Sequence, residues 1–199
     1  MSGAGNLPGT DQLEAERARL FALLGRLLMA PPDRALLDGL RHLPGDASPL
    51  GRATAALAEA ARAAEPAALE REFHALFIGV GRGEVLPYAS YYLTGFLHER
   101  PLARLRGDLA RLGVTRAPGI AEPEDALAFL CETYAGLLGG VFAAGPAAAP
   151  AFLATHLLPW AGRCFADIEA AAAARFWRSV AALGRLALDI EQSAADLAA

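Results

Sequence analysis

Apolar residues recur three and four positions apart along nearly the whole chain, the spacing that lines one face of a helix. Leu13, Leu20, Leu24, Leu27 and Leu28 mark a first amphipathic helix that opens at Asp11, with Glu14 completing a capping box, and stops at Pro31-Pro32. A short helix over Asp33 to Arg41 follows. Ser48-Pro49 then supplies an N-cap and first-turn proline for an alanine-rich helix running to Ala64. Pro66 opens a helix carrying Leu69, Phe73, Leu76 and Phe77, which ends at the loop Gly79 to Gly83. A further helix is predicted to begin at Pro87, followed by one marked by Leu102, Leu105, Leu109 and Leu112.

The second half continues the pattern. Glu122-Pro123-Glu124-Asp125 has the signature of a helix start, with proline at the first position and acids where the helix dipole favours them. Leu127, Leu130, Tyr134, Leu137, Leu138 and Val141 form its apolar face. Phe152 to Trp160 belong to a helix interrupted at Pro159, and Phe176, Val180, Leu183, Leu186 and Ile190 mark the last one. No period-two strand of useful length occurs. The expected fold is all-α, a single-domain bundle of seven or more helices over residues 11–199, behind a flexible tail of residues 1–10.

Composition sharpens this picture. Alanine and leucine dominate, favouring helix over strand, and all 18 basic residues are arginine. A net charge of -4 with scattered arginines argues against nucleic-acid binding, which calls for a basic face. Cys131 and Cys164 stand inside apolar helical patterns and read as small buried hydrophobes, in keeping with a reducing compartment. No charged residue occurs from Thr133 to Gly162, but Gly145-Pro146 breaks that stretch, so it reads as two buried helices and not as a membrane span. Nothing at the N-terminus resembles an export signal, and a cytoplasmic location is expected.

Catalytic and metal chemistry find little support. His42, His74, His98 and His156 are dispersed without metal-ligand spacing, neither cysteine has an adjacent base, and Ser90 lacks a nucleophile-elbow context. His156 reads equally well as a core or capping residue. The loop Gly79-Val80-Gly81-Arg82-Gly83 is glycine-rich like a phosphate cradle, yet it lacks a preceding strand and a lysine. The feature that asks for an explanation is the concentration of Tyr88, Tyr91 and Tyr92 in GEVLPYASYYL, either a local core or a binding surface with polar tips.

Several segments together resemble one family. Phe73-His74-Ala75-Leu76-Phe77, Gly79 and Gly81, then Leu86-Pro87-Tyr88-Ala89-Ser90-Tyr91-Tyr92-Leu93 are similar to the signature of the TorD/DmsD/NarJ redox-enzyme maturation chaperones. Glu122-Pro123-Glu124-Asp125 resembles that family's Glu-Pro-x-Asp-His, Phe152 to Trp160 its His-Leu-x-Pro-Trp segment, and Phe176-Trp177 its Phe-Tyr pair. The resemblance runs in order from about residue 70 to 190. It departs in two places: Ala126 stands where the family has histidine, and Tyr88 where tryptophan is common.

The resemblance implies a non-catalytic cytoplasmic chaperone, monomer or homodimer, that binds the twin-arginine signal peptide of a molybdopterin oxidoreductase precursor until its cofactor is inserted. It implies no cofactor of the chaperone's own, although guanine nucleotide binding has been suggested for some relatives. Carried over by position, Phe73, Leu76, Phe77, Pro87, Tyr88 and Asp125 contribute to the peptide site, with Ser90 and Tyr92 in the same stretch and Glu122 and Glu124 beside Asp125 at an acidic end. In this expectation Pro87-Tyr88 face the groove while Tyr91 or Tyr92 packs inward. Two other classes stay open on the sequence: a nucleotide-binding or small enzymatic helical protein using the glycine loop, and a structural helical subunit of a redox complex.

Overall fold

The computed structural model describes residues 8–115 and 122–198, and within them the chain forms ten α-helices and two π-helical turns, with no strand. In chain order the α-helices are α1 (Pro8–Met29), α2 (Arg34–Arg41), α3 (Pro49–Ala63), α4 (Pro66–Phe73), α5 (Ala89–Thr94), α6 (Arg100–Arg111), α7 (Leu127–Leu138), α8 (Ala148–Phe152), α9 (Ala161–Ala170) and α10 (Phe176–Ala198). The π-helical turns are His74–Ile78, which continues α4, and Leu153–Leu157, which continues α8.

Local signals set several of these boundaries. Asp33 caps α2 by accepting from the Leu36 N–H at 2.9 Å, and Ser48 caps α3 by accepting from Gly51 at 2.9 Å. Three expected starts are displaced, those of α1, α5 and α7. Helix α1 begins at Pro8, so Pro8 to Thr10 are helical and Asp11 lies inside the helix, where it cannot serve as N-cap of a capping box with Glu14; proline fits the first turn, whose N–H groups lack partners anyway. The rest of the expected tail, residues 1–7, lies outside the described residues. The acidic segment is likewise not a first helical turn: Glu122 to Asp125 form a bend and turn ahead of α7, which starts at Leu127.

Helix α1 packs lengthwise on α7, and α10 packs on α9 and α3, so these five helices enclose the core. The approach of α1 to α7 is close at Gly25, where a methyl group would stand 2.6 Å from Glu132 Cγ and 3.0 Å from the Ala128 carbonyl. Trp160, Trp177, Tyr134, Phe21 and Phe165 are fully buried, and Phe176 joins Trp177 in the interior. Both indole N–H groups are satisfied, Trp177 donating to the Leu27 carbonyl at 2.9 Å and Trp160 to that of His156 at 2.7 Å, as burial of a polar atom requires.

Carboxylates distant in sequence close the turn between α9 and α10. Glu84 accepts from the Ala172 and Ala173 N–H groups at 2.7 and 3.1 Å, and Glu72 from Arg175, Phe176 and Trp177 at 2.7, 3.2 and 2.9 Å. Glu72 occupies orphan donors at the start of α10, where the helix dipole also favours negative charge, and Glu84 holds the turn before it. Cys131 and Cys164 are buried free thiols, both pushed well up in pKa by desolvation. The uncharged stretch from Thr133 to Gly162 is divided between α7, a connection, α8 and its π-helical turn; among the described residues no helix is long and apolar enough to cross a membrane.

Candidate functional site

The site is built from the end of α4 and the segment that returns to it. In the π-helical turn His74–Ile78 the Gly79 N–H reaches back to the His74 carbonyl at 2.7 Å. The Ala75 and Leu76 carbonyls accept from Glu84 at 3.1 Å and Val85 at 2.9 Å. The widened turn thereby docks the segment leading to Pro87 and Tyr88 against the helix end. Glycine is needed at its exit, since Gly79 has φ 64°.

A second docking completes the frame. Residues 87–90 pair with residues 125–127 through a single antiparallel bridge between Tyr88 and Ala126, in which Leu127 N–H donates to Pro87 at 2.8 Å and Ala89 N–H to Asp125 at 2.9 Å. Tyr88 is therefore extended, and the helix expected from Pro87 begins at Ala89. The three tyrosines consequently do not share one helical face.

Between these segments lies a cavity of about 160 Å³ lined by Leu28, Met29, Phe73, Phe77, Ile78, Pro87, Tyr88, Glu122, Ala126 and Ala128. Its volume matches one large apolar side chain, being close to that of an engineered cavity of about 150 Å³ that holds benzene. Phe73 and Phe77 lie 5.0 Å apart between centroids and rest on Trp177, at 5.4 and 6.3 Å, so the aromatic floor is anchored in the core. Ile78 is 54% exposed at the rim, and Val80 two residues on is fully exposed. The Tyr88 hydroxyl donates to Glu122, and desolvation, followed by this carboxylate, pushes its pKa well up. The phenol is thus a neutral donor throughout the physiological range.

Five of the ten sequence-assigned residues, Phe73, Phe77, Pro87, Tyr88 and Glu122, meet in this cavity. The other five are placed elsewhere. Leu76 is wholly buried in the core beneath it. Asp125 is 1% exposed and Ser90 is buried; the Asp125 carboxylate accepts from the Ser90 N–H at 2.9 Å and from the Ser90 hydroxyl, so it caps α5 from inside and presents no charge to an incoming ligand. Glu124 is ion-paired with Arg106, whose guanidinium donates at 2.8 and 3.0 Å.

Tyr92 stands apart from the cavity. Its ring stacks on Trp160 at 5.4 Å and its hydroxyl donates to Asp167 at 2.7 Å. It is the inward-packing tyrosine that the sequence anticipated, although half-buried and not fully enclosed. Leu28, Met29, Ile78, Ala126 and Ala128 were missed by sequence reasoning. Leu28 and Met29 could have been suspected, because the apolar run there continues off the helix face up to Pro31. At Ala126 the small side chain lies on the cavity wall beside Tyr88.

The glycine loop offers no phosphate cradle of the strand-loop-helix kind. The segment after Gly83 is irregular and leads to α5, and Glu84 is committed to the α9–α10 turn. Among the described residues no group of three histidine, cysteine or carboxylate side chains could hold a metal ion.

Comparison with known proteins bears on the family and the fold. A family model described as nitrate reductase delta subunit matches residues 43–166, more than half of the chain. A crystal structure of a candidate redox enzyme maturation protein from Archaeoglobus fulgidus superposes with a TM-score of 0.56 at 17% sequence identity, covering 95% of this chain and 98% of that one. That likeness bears on the fold: the same all-helical arrangement. No curated protein matches significantly.

Proposed function

The chain belongs to the nitrate reductase delta subunit family of non-catalytic redox-enzyme maturation chaperones, and from that premise we propose that it binds the twin-arginine signal peptide of a molybdopterin oxidoreductase precursor in the cytoplasm and holds it until the cofactor is inserted. The observation that carries the reading is the convergence of Phe73, Phe77, Pro87 and Tyr88 on one apolar cavity with the Glu122 carboxylate on its wall. A twin-arginine peptide presents two guanidinium groups followed by an apolar stretch, and this cavity offers the complementary order. One large apolar side chain enters between Phe77 and Tyr88, while Glu122 faces the arginines, to which a carboxylate offers charge-assisted hydrogen bonds.

Affinity is moderate under this reading. A single anchoring side chain buries limited area, and ordering a flexible peptide offsets part of the gain. Moderate affinity also suits a chaperone that must release its client. The test uses the full chain and a synthetic peptide with an arginine pair followed by a leucine-rich stretch, titrated by fluorescence anisotropy. Tyr88→Ala and Phe77→Ser are expected to weaken binding roughly tenfold each, the loss for one anchoring contact. Glu122→Gln is expected to weaken the arginine peptide but not a version with glutamines at those positions. Unchanged affinity in folded Tyr88→Ala and Phe77→Ser proteins would overturn the assignment.

A further inference from the structure

The second π-helical turn, Leu153–Leu157, also borders open space. It presents Thr155 and His156 to two adjoining clefts, of about 390 and 210 Å³, which share Arg104, Thr155 and His156. The larger has an apolar wall of Ala89, Leu93, Pro101, Leu105 and Leu130, with Arg100 and Arg104 at its edge. Those arginines are one helical turn apart on α6 and therefore share a face.

Among the described residues their charge is unspent. Arg106, on the same helix, is paired with Glu124, and Arg111 is paired with Asp108, which also accepts from His156 Nε2 at 2.7 Å. Arg100 and Arg104 are exposed and have no ion pair among the described residues, in a chain whose net charge is -4. The adjoining surface is apolar. Leu93 is 43% exposed, and the loop from Thr94 to Arg100, both on the cleft wall, carries Phe96 at 70% and Leu97 at 41% exposure.

We infer that the cleft between α5, α6 and the turn Leu153–Leu157 is a second docking site, for an acidic-apolar segment of a protein partner in which carboxylates alternate with leucine- or phenylalanine-sized side chains. The guanidinium groups of Arg100 and Arg104 take the carboxylates in charge-assisted bonds, and the wall from Leu93 to Leu130 takes the apolar side chains. The shelf of Leu93, Phe96 and Leu97 extends the apolar contact beyond what a small anion would use. An arginine-led peptide is disfavoured here by like charge, so this cleft and the Tyr88 cavity select segments of opposite sign. The inference stands independently of the Tyr88 assignment.

The experiment titrates the full chain with a short labelled peptide of alternating aspartate, leucine and phenylalanine, and with its aspartate-to-arginine counterpart. Wild type is expected to bind the acidic peptide; Arg100→Glu with Arg104→Glu should weaken it at least roughly tenfold and reverse the preference. Phe96→Ser should weaken the acidic peptide in wild-type charge background, separating docking from diffuse attraction. The Tyr88-site peptide should bind the charge-reversed variant as it binds wild type, so failure at one site is distinguishable from failure at the other. No binding of the acidic peptide to wild type, equal binding to the charge-reversed variant, or indifference to Phe96→Ser would each overturn the proposal.

Discussion

Replacing Arg17 with methionine tests whether the helix core is held by a buried polar network as well as by apolar packing. Arg17 on α1 makes a two-pronged contact with Glu191 on α10, Nε to Oε1 at 2.7 Å and Nη2 to Oε2 at 2.5 Å, and Nη2 also donates to the Tyr134 hydroxyl of α7 at 2.9 Å. Tyr134 in turn donates to Glu191 at 2.7 Å. Glu191 is only 4% exposed whereas Arg17 is 31% exposed, so the arginine closes the network from its solvent side. Methionine keeps much of the aliphatic stem and removes the counter-charge, leaving Glu191 buried with the tyrosine hydroxyl as its remaining partner in the network.

Breaking a buried pair by removing one partner costs about 3–5 kcal/mol. Water reaching the vacated side of Glu191 lowers that, and about 2–3 kcal/mol is expected. Urea unfolding followed by circular dichroism measures it, and the double variant Arg17→Met with Glu191→Leu should recover much of the loss, since the uncompensated charge is then gone. A loss below about 0.5 kcal/mol for Arg17→Met, or no recovery in the double variant, would refute the reasoning.

Two further expectations concern groups near the sites. Asp125→Ala strands the buried Ser90 N–H and hydroxyl, and should lower stability by about 2–3 kcal/mol, a fall in Tm of roughly 4–12 °C on heating; an unchanged Tm with lost peptide binding would instead return Asp125 to the recognition surface. His156 is held below its ordinary pKa by desolvation, which outweighs Asp108 and is joined by Arg104. Its neutral form is thus favoured in the fold, so its contribution is complete above about pH 6.5 and declines as pH falls from there toward the lowered folded value; His156→Gln should flatten that limb in urea titrations run from pH 7.5 to 5.

Much of what could be read locally was read correctly. The cap at Ser48, breaks at Pro31 and Gly145, and the apolar face of α6 depend on residues a few positions apart, whose preferences are set by backbone geometry and periodic burial; Val141, expected on the face of α7, lies past its end at Leu138 and is 75% exposed, and Ile190 of α10 is 44% exposed. Phe73, Phe77, Pro87 and Tyr88, carried over by resemblance in short motifs, are brought together on one cavity, and their role in peptide binding is proposed. Errors fell at three helix starts, expected at Asp11, Pro87 and Glu122-Pro123, and where a residue's partner is distant. Asp125 looks like a first-turn acid because nothing nearby in sequence reveals that Ser90, 35 residues earlier, will bury it.

By itself, then, the sequence determined the helical class, most of the helix ends and the aromatic and acidic residues from which a recognition site could be made. Only the tertiary structure decided how they are divided: Glu122 on the cavity wall, Glu124 bound to Arg106, Asp125 turned inward, and Tyr92 packed on Trp160 away from Tyr88. It also placed Arg100 and Arg104 beside an apolar wall drawn from α5, α6 and α7. Helical periodicity is a property of neighbours along the chain, whereas the fate of a charge depends on which partners the tertiary fold brings within bonding distance of it.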